Sequence, residues 1–126
     1  MLITVYTETV IDYAHYLRGY EGNCKNLHGH SGLIRLWIKG DESQLNETGM
    51  LFDFNNIKSI KEQFDHKCLN ECSNKDIDYK NINPTAENLC LDIYRFFKNR
   101  NSELQFKVRF YETSVGKKTY AEVGDF

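Results

Sequence analysis

The stretch Cys24-Lys25-Asn26-Leu27-His28-Gly29-His30 places one thiol and two imidazoles within seven residues. That density of sulfur and nitrogen donors suits a metal site, or a nucleophile or base seated beside one. Four histidines occur in the whole chain: His15, His28, His30 and His66. In extended backbone, residues i and i+2 point the same way, so His28 and His30 can present both rings to one ion. Gly29 between them is expected to add backbone freedom and to let the chain approach a metal closely. His15 ends the first strand-like segment, and a hairpin return into the second would bring it to the pair. Three neutral imidazoles with one open position form a catalytic zinc arrangement, whereas closed structural sites fill all four positions, mostly with thiolates. Cys24 leaves two readings open. It is either the fourth ligand of a closed site or a free thiol that serves a three-histidine site as base or nucleophile. The bland alternative is that H-x-H marks two ordinary loop histidines.

Composition narrows the classes of function. The chain has 126 residues, 27% of them charged, with a formal net charge of −2. This fits one globular domain over residues 1–126 and carries no basic footprint for nucleic acid or a membrane surface. No apolar run approaches the ~20 residues of a membrane span. The N-terminal segment has neither a basic n-region nor a long apolar h-region, so no signal peptide is expected. Cys24, Cys68, Cys72 and Cys90 are scattered, and reduced thiols in a cytoplasm are the expectation. Cys68 and Cys72 are spaced C-x3-C with no second pair to complete a zinc site, and Cys90 reads as packing.

The elements that must position these groups follow from periodicity. Residues 2–10 are rich in β-branched side chains and read as a strand. In SGLIRLWIKG, Ile34, Leu36 and Ile38 alternate with Arg35, Trp37 and Lys39, as in a strand buried on one face. In FNNIKSIKEQFDH the apolar Phe54, Ile57, Ile60 and Phe64 recur at helical spacing. Leu89, Ile93, Phe96 and Phe97 form a second helical stripe, with Pro84 at a first helical position and Thr85 or Asn83 as cap. Leu104, Phe106, Val108 and Phe110 return to period two, with Glu112 on the same face. Residues 117–126 supply a short last strand. The order β-β-α-α-β-β predicts an α+β fold: a four-stranded antiparallel sheet with two helices on one face. Its two open edges make oligomerisation a reasonable expectation.

The segments YAHYL around His15, CKNLHGH, GMLFDFNNIK, FDHKCLN, NPTAENL and YETS occur in this order over nearly the whole chain. Together they resemble the 6-pyruvoyltetrahydropterin synthase family. The three residues between Cys24 and His28 are similar to its bacterial, 6-carboxytetrahydropterin-forming branch, since 6-pyruvoyl-forming members usually carry a longer insert. The resemblance implies a T-fold whose subunits join their sheets into trimeric barrels, stacked as a homohexamer with active sites between subunits. It implies zinc held by His15, His28 and His30, Cys24 as the catalytic thiol, Asp65 and His66 as a relay, and Glu112 as the pterin anchor and a further catalytic member of the proton relay. Thr113 is a weaker substrate-binding candidate.

The implied reaction converts 7,8-dihydroneopterin triphosphate to 6-carboxy-5,6,7,8-tetrahydropterin, acetaldehyde and triphosphate, towards 7-deazaguanines such as queuosine. Three alternatives stand beside it: triphosphate elimination to the 6-pyruvoyl product, a pterin binder without turnover, and a non-catalytic zinc-stabilised module. Adjacent residues on a helix diverge by about 100°, so Asp65 and His66 are expected at a helix end, where a plain cap is the competing reading. Arg18, Lys25, Lys117 and Lys118 are candidates to face the triphosphate, against a prior of solvated surface. Trp37 and the tyrosines read as core or subunit contacts. The chain departs from the resembled family's pattern in IDYAH, where a Phe and small residues usually precede the histidine, and in Phe64, where a Leu usually precedes the Asp-His pair.

Overall fold

The computed structural model describes residues 1–126 and is organised around one mixed sheet. Its strands are β1 (Leu2–His15), β2 (His28–Asp41), β3 (Lys67–Cys68), β4 (Gln105–Tyr111) and β5 (Tyr120–Gly124), in the spatial order β3-β1-β2-β4-β5. The helices are α1 (Ile57–Phe64) and α2 (Ala86–Arg100). β1, β2, β4 and β5 pair antiparallel, which matches the expected four-stranded sheet. The fifth strand was not expected: β3 is a two-residue segment pairing in parallel with Tyr13 and Ala14 of β1. Two residues carry no periodic signal, so such a strand leaves no trace in a sequence pattern.

Alternation sorts the sheet into two faces. Ile11, Ile34, Leu36, Ile38, Phe106, Val108 and Phe110 point to the helix side and are fully buried there. Twenty-two buried residues make one contiguous core between sheet and helices. Phe97 of α2 stacks on Phe106 of β4 with ring centroids 6.1 Å apart, and each buried ring of this size contributes about 1.5–3 kcal/mol. Trp37 lies on the opposite face and is not core. Tyr6 packs against its ring at 5.1 Å, and Lys107 and Arg109 cover it at 4.9 and 5.2 Å.

The helices follow the expected stripes with two differences. Phe54 falls in a 3₁₀ turn ahead of α1 and is half exposed, so it does not extend the buried stripe of Ile57, Ile60 and Phe64. Thr85 is the N-cap of α2, its hydroxyl accepting from the Asn88 N–H at 3.1 Å. Pro84 therefore lies one residue outside the helix rather than at its first position. That displacement frees the Pro84 carbonyl, which the site below uses. No helix is long and apolar enough to cross a membrane.

Candidate metal centre and active site

His15 closes β1, His28 opens β2, and the two are direct partners across the hairpin. His30 follows at i+2 and pairs with Tyr13. Register and alternation thus bring all three imidazoles to one end of the helix-covered face. Their ring centroids are 4.7, 5.0 and 4.9 Å apart. One ligand atom from each lies within 4.8 Å of the others.

Main-chain carbonyls set the orientation of two rings. His15 Nδ1–H donates to the Pro84 carbonyl at 2.8 Å, and His28 Nδ1–H donates to the Asn26 carbonyl at 2.6 Å. With the proton held at Nδ1, the Nε2 lone pair is left free, which is the arrangement of a metal-ligating histidine and its outer-shell acceptor. The Nε2 atoms of His15, His28 and His30 are all buried without a hydrogen-bond partner. Orphaned buried nitrogens are costly, and a cation would satisfy all three together. Burial pushes the His15 and His30 pKa values down, offset in His15 by the Pro84 bond and in His30 by Glu112. Both rings are accordingly held in the neutral form that coordinates. The donor set and its surroundings fit zinc.

Gly29 does not act as expected. It lies on the outward face opposite Ala14, and a Cβ there would meet only the Tyr13 carbonyl, at an ordinary 3.5 Å. Strand alternation, not glycine freedom, converges the two histidines.

Glu112 follows β4 and places Oε2 3.4 Å from His30 Nε2, out of alignment for a hydrogen bond. Its carboxylate is partly exposed. Cys24 sits in a 3₁₀ turn (Asn23–Lys25) of the loop joining β1 to β2, and its thiol is free and exposed. The loop folds back through the Leu17 N–H, which donates to the Cys24 carbonyl at 2.8 Å. The Cys24 sulfur is outside the cluster formed by the three histidines. The three histidines thus cluster without the thiol.

Asp65 and His66 gather elsewhere. Asp65 is the C-cap of α1 and accepts from the Asp12 N–H at 2.8 Å. The His66 N–H donates to the Asp12 carbonyl at 2.6 Å, and His66 Nε2 lies 3.6 Å from Asp65 Oδ2. Together with Asp12 they form a second cluster, separate from the histidines. His66 adopts φ +59°, a left-handed conformation rare outside glycine. It borders an open cleft of about 370 Å³ along the β1–β3 edge.

Residues 4–123 match the family model described as 6-pyruvoyl tetrahydropterin synthase. The chain belongs to this family. A 6-carboxy-5,6,7,8-tetrahydropterin synthase of Aquifex aeolicus is 30% identical over 125 aligned residues, covering 79% of this chain and 76% of the relative. A protein of the same name from a Synechocystis species is 36% identical over 74 residues, 53% of this chain and 57% of the relative. The matches to Pyrococcus relatives span 40% of those proteins. Among solved structures, the 6-pyruvoyl tetrahydropterin synthase of Caenorhabditis elegans superposes with a TM-score of 0.74 at 22% identity, covering 100% of this chain and 97% of that one. This likeness fixes the T-fold.

The remaining candidates of this family member divide by their surroundings. Thr113 is exposed, in a segment tied down by the Ser114 N–H donating to the Ser31 carbonyl at 2.7 Å. Lys25, Lys117 and Lys118 are exposed. Arg18 is engaged, donating to the Tyr79 carbonyl at 3.0 Å. Cys90 is buried, and burial pushes its thiol up to about 12, as a packing residue requires. Cys68 and Cys72 are free and half-buried. The outer-shell carbonyls of Pro84 and Asn26 were missed. The only signal for them was position, since carbonyls carry no residue-type signature.

Proposed function

We propose that this chain is a zinc-dependent lyase. It converts 7,8-dihydroneopterin triphosphate and water to 6-carboxy-5,6,7,8-tetrahydropterin, acetaldehyde and triphosphate, on a route to 7-deazaguanines such as queuosine. The observation that carries the reading is the trio of buried, unpartnered Nε2 atoms on His15, His28 and His30, two of them tautomer-fixed by carbonyls. The names of the curated relatives and the three-residue spacing from Cys24 to His28 favour the carboxy product over the pyruvoyl one.

His15, His28 and His30 would hold the ion, which when bound supplies Lewis-acid charge beside the substrate side chain. Glu112 accepts hydrogen bonds from the amino and ring N–H edge of the pterin and fixes its orientation, with Thr113 beside it. Cys24, exposed in the loop between β1 and β2 and outside the ligand set, takes the proton from the substrate side chain. Asp65 orients the His66 imidazole, which carries protons to and from the reacting centre. The Asp65–His66 pair clusters apart from the histidines within one chain, and in this reading a second copy supplies it to the site. β3 covers the outer edge of β1 only at Tyr13 and Ala14, so the rest of that edge and the edge of β5 suit such an assembly into trimers or hexamers. Residues 1–126 act as one domain, in a cytoplasm where the free thiols stay reduced.

The test is anaerobic incubation of the zinc-loaded protein with 7,8-dihydroneopterin triphosphate, with products identified by mass spectrometry. Acetaldehyde with 6-carboxytetrahydropterin is the expected result. A 6-pyruvoyl product would overturn the branch, and an unchanged substrate would overturn the reading.

A further inference from the structure

Tyr13 stands two residues before His15 on the same face of β1. Its ring is 4% exposed and packs at 5.2 Å from the His15 ring, 5.5 Å from His30 and 5.9 Å from Phe110. Room for it comes from Gly32, where a Cβ would lie 3.0 Å from Tyr13 Cε1 and 3.4 Å from Phe110 Cζ. The β2–β4 register, with Leu33 opposite Tyr111, brings Gly32 to the level of Glu112. The phenol therefore crosses from β1 over the bare backbone of β2 towards the Glu112 strand. Its hydroxyl is buried and has no hydrogen-bond partner, like the three Nε2 atoms beside it.

A buried hydroxyl left unpaired costs stability, and a packed ring would sit there equally well as phenylalanine. Orphaned donors lining a pocket are how a site demands a hydrogen-bonding ligand and rejects one that lacks the matching atom. We propose that the Tyr13 hydroxyl is a substrate-binding and specificity group, donating a hydrogen bond to an acceptor atom of the ligand that Glu112 anchors. A pterin supplies that chemistry: its amino and ring N–H donors suit a carboxylate, and the adjacent ring carbonyl accepts from a phenol. The inference rests on the pterin reading above and adds Tyr13 to it.

The test uses Tyr13→Phe in two measurements. In the zinc-loaded protein, the dissociation constant for 7,8-dihydroneopterin, followed by equilibrium dialysis, should rise about 5–10-fold, the size of one neutral hydrogen bond. KM should rise with it while zinc content stays at the unmutated level. In the metal-free protein, the urea midpoint of Tyr13→Phe should equal or exceed that of the unmutated chain, because an unpaired hydroxyl has been removed. Equal ligand affinity in the two proteins would overturn the proposal and leave the pterin reading standing. A lower urea midpoint would also overturn it, since the hydroxyl would then be paired inside the chain. An unmutated zinc-loaded chain that does not bind the pterin would overturn both readings.

Discussion

His15 and His28 face each other across the β1–β2 hairpin, and each ring is locked by a carbonyl from outside its own strand, Pro84 for one and Asn26 for the other. The Asn26 lock is local, two residues before His28, but the Pro84 carbonyl reaches His15 from 69 residues away, so the ligand set needs tertiary structure and not the H-x-H motif alone. Replacing His28 by alanine should weaken zinc binding by more than the roughly 10–100-fold that loss of an outer-shell partner costs. Competition against a chromogenic chelator would measure it. Undiminished affinity would show that the ion binds elsewhere.

The metal-free chain should lose stability on mild acidification. Burial holds the folded-state pKa values of His15 and His30 below the 6.5 of an ordinary histidine. Between those lowered values and 6.5 the unfolded chain binds more protons than the folded one, so stability falls as pH drops through that window. Above 6.5 both states hold neutral imidazoles and the contribution is flat. Urea midpoints of the metal-free protein between pH 7.5 and 5 should show this fall, and the slope should shrink in His30→Gln. A midpoint that rises on acidification would contradict the burial argument.

Much of this was legible in the sequence because the informative residues carry periodic or chemical signatures. The alternation in Ile34, Leu36 and Ile38 gave β2 its buried face, and extending the same alternation back to His28 and His30 put both rings on it. The stripe of Leu89, Ile93, Phe96 and Phe97 similarly marked α2. What stayed hidden depends on contacts distant in sequence or on backbone atoms. β3 is too short to have a period, the Pro84 carbonyl has no residue-type signal, and the separation of Asp65 and His66 from the histidines is a matter of topology. Gly29 misled because a glycine between two ligands suggests a close approach, while in a regular strand it simply faces away.

Thiol chemistry should distinguish the cysteines. Cys24 is exposed, whereas Cys90 is buried with its thiol pushed up to about 12, and burial also raises Cys72. Iodoacetamide on the folded, metal-loaded protein should alkylate Cys24 first and leave Cys90 unmodified, as peptide mapping would read. Cys24→Ala should keep the fold and the full zinc content, because its sulfur is outside the ligand cluster. It should lose about 10²–10⁴-fold in turnover, the usual contribution of a positioned base. Zinc release and unfolding in this variant would instead favour a structural site.

His66 should show stability and activity moving in opposite directions. Its φ of +59° puts a β-carbon in the left-handed region, at a cost of roughly 1–2 kcal/mol for a residue other than glycine. The chain tolerates that conformation where the His66 N–H and the Asp65 carboxylate are both fastened to the backbone of Asp12, a pattern common where strain serves a site. His66→Gly removes the clash and keeps the backbone bond, while giving up some unfolded-state entropy. The net expectation is a gain of about 0.5–1 kcal/mol in unfolding free energy. The imidazole is 79% exposed, so little packing is lost. Turnover should nevertheless fall by about 10²-fold or more if this ring carries protons. Denaturant melts and steady-state rates on the same preparation would decide it. Unchanged turnover with raised stability would remove His66 from the chemistry and leave it a cap at the end of α1.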